Sequence, residues 1–243
     1  MSLFKRKNKP VVKELFNVSS ENAPFNYVES YKMLCTNIEF ISVAQKCKNI
    51  MITSALADEG KTNCAVNLAL TLAGYGKKVC LVECDLRKSS VHRFIDSKRN
   101  TEGLTNVLKG EIEISKAMRK VSNTTMSILL AGVSPPNPSE LLASEKMKWV
   151  VDELEQQYDY IIYDTPPVFI VTDAAVLGKY MDGAIMVIKH HATEKNLVTK
   201  AKNNLENAGV KIFGAILNGY SEKSVGAYTA YNYYYGKDED KKK

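Results

Sequence analysis

Ser54-Ala55-Leu56-Ala57-Asp58-Glu59-Gly60-Lys61-Thr62 is the stretch on which the fold turns. Before it, Asn49–Ser54 (NIMITS) reads as a short buried strand. After it, Lys61 to Ala73 reads as a helix carrying Ala65, Leu68, Ala69 and Leu72 on one face. Ala55-x4-Gly60-Lys61-Thr62 fits the Walker A phosphate loop, with alanine where the leading glycine usually stands. The backbone N–H groups of such a loop, and of the helix N-terminus behind it, face polyphosphate oxygens, and the helix dipole favours the anion. The loop therefore nominates Asp58, Glu59, Gly60, Lys61, Thr62 and Asn63 as nucleotide-binding. Lys61 is placed to reach the β- and γ-phosphates, and the Thr62 hydroxyl to ligate Mg²⁺. A helix start that happens to read GKT, with Asp58 and Glu59 only complementing the dipole, is the competing explanation.

Outward from the loop, short β-branched runs recur between helical segments. Val79–Glu83, Ser127–Ala131, Tyr160–Tyr163, Ala184–Ile188 and Ile212–Leu217 read as strands. Thr193 is placed to cap a helix with Leu197, Ala201 and Leu205 on its buried face and Gly209 as its stop. Runs that do not alternate in polarity imply a mostly parallel sheet covered by helices on both faces, an α/β fold. Two of these strands end in acids. Asp164 closes Tyr160–Tyr163 at the Walker B position, where it can support Mg²⁺. The other is Glu83-Cys84-Asp85-Leu86-Arg87; if still extended, it puts two carboxylates on one side of the chain. There they could bind metal and orient or deprotonate an attacking hydroxyl. Trp149 reads as core, and His190 and His191 as solvated or packed side chains rather than ligands.

Composition limits the partners. The 243 residues carry a formal charge of +6, with 45% hydrophobic and 25% charged residues, as expected of a folded globular chain. Residues 1–20 hold five Lys/Arg and one acid (+4), and the last seven, KDEDKKK, four Lys and three acids (+1), so the remainder is near +1. A uniformly basic nucleic-acid-binding domain is not expected. No apolar run approaches a membrane span and no secretory h-region follows the basic start, which makes a cytoplasmic location the expectation. Five cysteines without CxxC spacing point to a reducing compartment with no zinc or disulfide framework. The reading divides the chain into a basic arm (1–20), a catalytic domain (21–226) and a tail (227–243). In that tail Tyr228, Tyr231, Tyr233, Tyr234 and Tyr235 fall within eight residues.

With these residues in order, the chain resembles the bacterial tyrosine kinases (BY-kinases) of capsular and exopolysaccharide synthesis, in their Gram-positive form without a membrane span. The resemblance rests on the Walker A loop, the second acidic strand end (Glu83–Arg87, the family's Walker A′) and Asp164-Thr165-Pro166-Pro167. Gly103-Leu104, Ala131-Gly132, Pro136-Asn137-Pro138-Ser139-Glu140-Leu141-Leu142 and the tyrosine-rich tail add to it. It implies a P-loop NTPase fold akin to the MinD/ParA ATPases, with ATP and Mg²⁺ as cofactors. Lys61, Glu83, Asp85 and Asp164 become the catalytic set, Thr62, Asp85 and Asp164 the metal-holding set, and Asn218 a residue near the base. Glu83 or Asp85 would orient the tyrosine hydroxyl. The family further implies autophosphorylation of the tail tyrosines, an activating membrane adaptor that recruits the kinase to the inner face of the membrane, and an opposing tyrosine phosphatase.

Three departures shape the expectation. Ala57-Asp58 stands where the family usually has Pro-Gly, and Asp tolerates positive φ better than most residues but less well than Gly. Glu83 replaces the usual Asp and is one methylene longer. The family's Glu-x-x-Arg-x-x-Arg oligomerisation motif is matched only by Glu29, Lys32 and Cys35, so a homo-oligomeric ring is weakened. Slow or adaptor-dependent catalysis follows. Two rivals stand beside the kinase. One is a MinD/ParA-type positioning ATPase, although Ala55, Leu56 and Ala57 offer no early loop lysine. The other is a nucleotide-gated scaffold of polysaccharide assembly.

Overall fold

The structure, a computed structural model, describes residues 17–94 and 102–220. In chain order the elements are α1 (Phe25–Gln45), β1 (Asn49–Ser54), α2 (Lys61–Gly74), β2 (Val79–Glu83), α3 (Leu104–Leu108), α4 (Ile114–Ala117), β3 (Met118–Lys120) and β4 (Met126–Leu129). Then follow α5 (Pro138–Ala143), α6 (Glu145–Gln157), β5 (Tyr160–Asp164), α7 (Asp173–Leu177), β6 (Gly183–Lys189), α8 (Lys195–Asn207) and β7 (Ile212–Asn218). The seven strands pair in the order β3-β4-β2-β5-β1-β6-β7, all parallel except β3.

The pleat sorts the core. Ile50 and Ile52 of β1, with Leu81 and Ile162, face α1 and α2 through Cys35, Ile38, Ala65, Leu68 and Leu72. Their neighbours Cys80, Val82, Ile161 and Tyr163 face α6 through Met147, Val150 and Leu154, while Met51, Ala184 and Met186 meet Ala201 and Leu205 of α8. Every residue of β1, β2 and β5 is buried, so these strands read as runs that do not alternate in polarity. In this topology β1 lies between β5 and β6, and the carboxyl ends of β1, β2 and β5 converge where open α/β sheets bind ligands.

Several sequence expectations are adjusted. β4 stops at Leu129 because the carbonyls of Leu130 and Ala131 accept the amides of Leu104 and Thr105 instead of continuing the ladder. The helix after Thr193 runs Lys195–Asn207 behind Glu194, and Thr193 spends its hydroxyl elsewhere. Trp149 is not core: it lies 40% exposed on the outer face of α6, with Lys146 Nζ 3.7 Å from its ring centroid. The 21-residue α1 and the antiparallel β3 were not expected. All five cysteines are buried free thiols, and burial pushes Cys35 and Cys47 up to about 12 and Cys64 to about 11. Among the described residues no helix is long and apolar enough to cross a membrane.

Candidate nucleotide site

The loop between β1 and α2 is folded by its own side chains and by the β6–α8 side of the sheet. Asp58 takes φ 60° and Gly60 φ 89°, both left-handed. The Asp at 58 meets that demand in a region where glycine is cheaper. At Gly60 the need is steric as well: a Cβ there would lie 2.0 Å from Asn218 Nδ2. The buried Glu59 turns inward, its carboxylate accepting the Leu56 amide (2.8 Å) and the Thr193 hydroxyl. Lys189 Nζ donates to the Asp58 carbonyl (3.3 Å) and Asn218 Nδ2 to the Glu59 carbonyl (2.8 Å). Glu59 and Asn218 thus reach the loop as braces.

The chemical groups gather at the strand ends. Lys61, first residue of α2, places Nζ 3.4 Å from Asp85 Oδ2. Thr62 donates its hydroxyl to Asp164 Oδ2 at 2.7 Å, and its oxygen lies 3.0 Å from Ser90 Oγ. Asp164 is fully buried at the end of β5, and its Oδ1 has no hydrogen-bond partner among the described residues. Burial drives its carboxyl up to about 7, against the opposing pull of Lys61 and Thr62. Asp85 fixes the turn after β2 by accepting the Lys88 amide at 2.9 Å. Asn63 lines the same cleft, its Oδ1 accepting the Tyr27 hydroxyl (2.9 Å) and the Asn67 amide (3.1 Å).

The two acids of the second strand end do not act on one side. The amides of Cys84 and Asp85 both donate to the Asp164 carbonyl, which bends the chain out of the extended geometry. Asp85 then faces Lys61, whereas Glu83 is turned away and buried. Its Oε1 accepts the amides of Ser90 (2.5 Å) and Val91 (2.8 Å), and its Oε2 that of Ala131 (3.0 Å).

A cleft of about 390 Å³ opens over these groups. Its floor is the loop, Lys61 and Thr62; its rim carries Arg87, Lys88 and Arg93 against Asp58 and Asp85. Phe94, Pro167, Ile170 and Val171 make an apolar lip. Arg87 is held in a bidentate grip by buried Asp173 (2.9 and 3.1 Å), with Ser139 Oγ bonded to both. The excess of cations suits a polyphosphate. Among the described residues no group of three or more His, Cys, Asp or Glu could hold a metal unaided. Mg²⁺ takes one or two carboxylates and completes its shell with phosphate and water. The unpartnered Asp164 oxygen beside Thr62 is the kind of acceptor such an ion satisfies.

Other sequence-marked segments also find places. Gly103-Leu104 crosses Ala131-Gly132 so closely that a Cβ on Gly103 would meet the Leu130 carbonyl at 2.2 Å. On α1, Glu29 and Lys32 pair within the helix at 2.7 Å, while Cys35 is buried against the core. His190 packs at a tilt against His191 and edge-on against Tyr220, and among the described residues neither histidine joins a group that could hold a metal. The tail tyrosines Tyr228, Tyr231, Tyr233, Tyr234 and Tyr235, and residues 1–16 of the basic arm, lie outside the described residues. Sequence reasoning missed Ser90 and Asp173 and gave Thr193 a capping role, because all three act through contacts between distant segments.

An AAA domain family model matches residues 47–206. Tyrosine-protein kinase YwqD of Bacillus subtilis (strain 168) is 43% identical over 212 residues, covering 86% of this chain and 87% of that protein. The crystal structure of the chimerical protein CapA2B2 superposes with a TM-score of 0.79 at 31% identity, over 84% of this chain and 88% of its own. The septum site-determining protein MinD of Pyrococcus horikoshii, complexed with Mg-ADP, follows at TM-score 0.62 and 25% identity, over 76% of each chain.

Proposed function

Since this chain belongs to the bacterial tyrosine-protein kinase (BY-kinase) family, we propose that its cleft transfers the γ-phosphoryl group of ATP to the tyrosines of its own C-terminal tail. The enzyme is a tyrosine-protein kinase of the capsular and exopolysaccharide type, built on a P-loop NTPase fold. The observation that carries the reading is the convergence of Lys61, Thr62 and Asp85 in one cleft, with buried Asp164 directly behind Thr62: Lys61–Asp85 is 3.4 Å and Thr62–Asp164 2.7 Å.

The roles follow from position. Loop amides from Asp58 to Asn63 hold the polyphosphate, and Lys61 neutralises its terminal phosphates. Thr62, Asp164 and Asp85 would hold Mg²⁺, which when bound would offset the charge on the transferring group. Asp85, next to Lys61 and open to the cleft, orients the tyrosine hydroxyl and accepts its proton. Asn218 acts on the nucleotide through the loop it braces. Around the catalytic domain (21–226), the basic arm (1–20) adds weak attraction to an acidic membrane face, and the tail (227–243) supplies the acceptors. A membrane adaptor recruits and activates the kinase from the cytoplasm, and a tyrosine phosphatase resets it. A ring of copies would lack the family's arginines, since Lys32 and Cys35 stand in their places, the first paired with Glu29 and the second buried.

The test is to incubate the full chain with Mg-ATP, with and without an adaptor segment, and count phosphotyrosine against released phosphate. Phosphotyrosine is expected, rising with the adaptor. Phosphate without phosphotyrosine would point to a positioning ATPase, and neither product to a scaffold.

A further inference from the structure

Glu83 occupies a position where a catalytic carboxylate would be sought, yet it does not line the cleft. It is 1% exposed, and both of its oxygens are committed to backbone amides of two other segments, Ser90–Val91 and Ala131. Such charge-assisted bonds to N–H groups are among the stronger ones available in a protein. They hold the segment after β2 to the end of β4. Ser90, whose amide Glu83 anchors, has its hydroxyl 3.0 Å from Thr62 Oγ1. When Asp164 is ionised, Thr62 gives it its single proton, and in this pair Ser90 is then the donor. The order is then Ser90 to Thr62 to Asp164, and Glu83 fixes its first member. Length matters here: the second methylene of Glu lets the carboxylate reach amides seven, eight and 48 residues away along the chain.

We infer that Glu83 is a positioning residue that holds Ser90 against Thr62 and so presets the phosphate- and metal-binding end of the cleft, leaving the hydroxyl-directed role to Asp85 alone. The inference rests on the nucleotide reading of the cleft. It predicts an effect of Glu83 on nucleotide binding, where a catalytic base would act on the chemical step.

The variants are Glu83→Gln, Glu83→Asp, Ser90→Ala and the double Glu83→Gln/Ser90→Ala, in the full chain. The measurements are Mg-ADP affinity, amide hydrogen exchange of the nucleotide-free protein, and KM for ATP against kcat. Glu83→Gln turns an N–H donor toward a backbone donor and Glu83→Asp falls short of its amides. Each is expected to weaken Mg-ADP binding about tenfold, the scale of one charge-assisted hydrogen bond, and to speed exchange at Ser90, Val91 and Ala131. The change should enter KM for ATP with kcat little altered. Ser90→Ala, which leaves Glu83 and the fold intact, should weaken Mg-ADP in the same direction, and the double variant should be no weaker than Glu83→Gln.

The inference is overturned if Glu83→Gln binds Mg-ADP and exchanges like wild type while kcat falls by about 10²–10⁴, the range of a lost acid–base group. It is also overturned if Glu83→Asp, restoring the residue usual in the family, works as well as or better than wild type. Should Glu83→Gln fail to fold, unchanged Mg-ADP affinity in Ser90→Ala overturns it alone. A wild type that makes no phosphotyrosine would sink the kinase reading and leave the affinity and exchange results to decide this one.

Discussion

Asp164 shows how a single buried side chain couples the site to pH. Burial raises its carboxyl from 3.8 to about 7 in the folded protein. An acid raised on folding favours the native state while protonated, so its contribution is present below 3.8 and lost as pH rises through about 7. Without nucleotide, Asp164→Asn should therefore unfold at a higher temperature than wild type at about pH 8, with the gain shrinking toward about pH 5. Parallel melting curves across that range would refute the burial argument. Lys61, Thr62 and Asp164 were legible in the sequence because a phosphate loop and a strand-end acid have nearly fixed geometry. Glu83 was not, since the amides that a buried carboxylate meets are set by how β2, β4 and the 90–91 segment pack.

Among the elements, the parallel strands announced themselves through short β-branched runs that do not alternate in polarity, and α1 stayed hidden. Its apolar residues are spread around the helix, with Tyr31, Cys35 and Ile38 buried and Met33, Phe40 and Val43 exposed, so no single stripe marks it. Thr193 looked like a cap because hydroxyls before helices usually are; tertiary contact with Glu59 took precedence. That brace gives a prediction: Thr193→Val should loosen the loop and weaken Mg-ADP binding, roughly by the ~1 kcal/mol of a lost hydrogen bond, with Tm nearly unchanged. Equal affinity by titration would contradict it. The crossing of Gly103 over Gly132 gives another. Gly103→Ala would set a Cβ 2.2 Å from the Leu130 carbonyl, and should lower stability by about 1–3 kcal/mol in denaturant unfolding.

For the molecule as a whole, the +6 charge divides into a basic N-terminal stretch, a nearly neutral body and a tyrosine-rich end whose charge the proposed reaction would change. Each phosphotyrosine adds about −1.5 to −2, so five would make the chain net negative at one end. Of the oligomerisation motif that the resemblance implies, the chain keeps only Glu29, with Lys32 and Cys35 at the other two positions, and Cys35 faces the core. Cys35→Arg would not rebuild an oligomerisation surface but bury an unpaired cation, lowering stability by about 3 kcal/mol or more in denaturant unfolding. A stable, ring-forming Cys35→Arg protein would contradict that placement. Phosphoryl transfer to the tail is proposed to run through the Lys61 cleft. The direct test is mass-spectrometric mapping of phosphotyrosine in wild type and Lys61→Met after incubation with Mg-ATP. Modification concentrated in Tyr228, Tyr231, Tyr233, Tyr234 and Tyr235 and lost in Lys61→Met is the predicted result; phosphotyrosine that persists in Lys61→Met, or none in wild type with its adaptor, would contradict it.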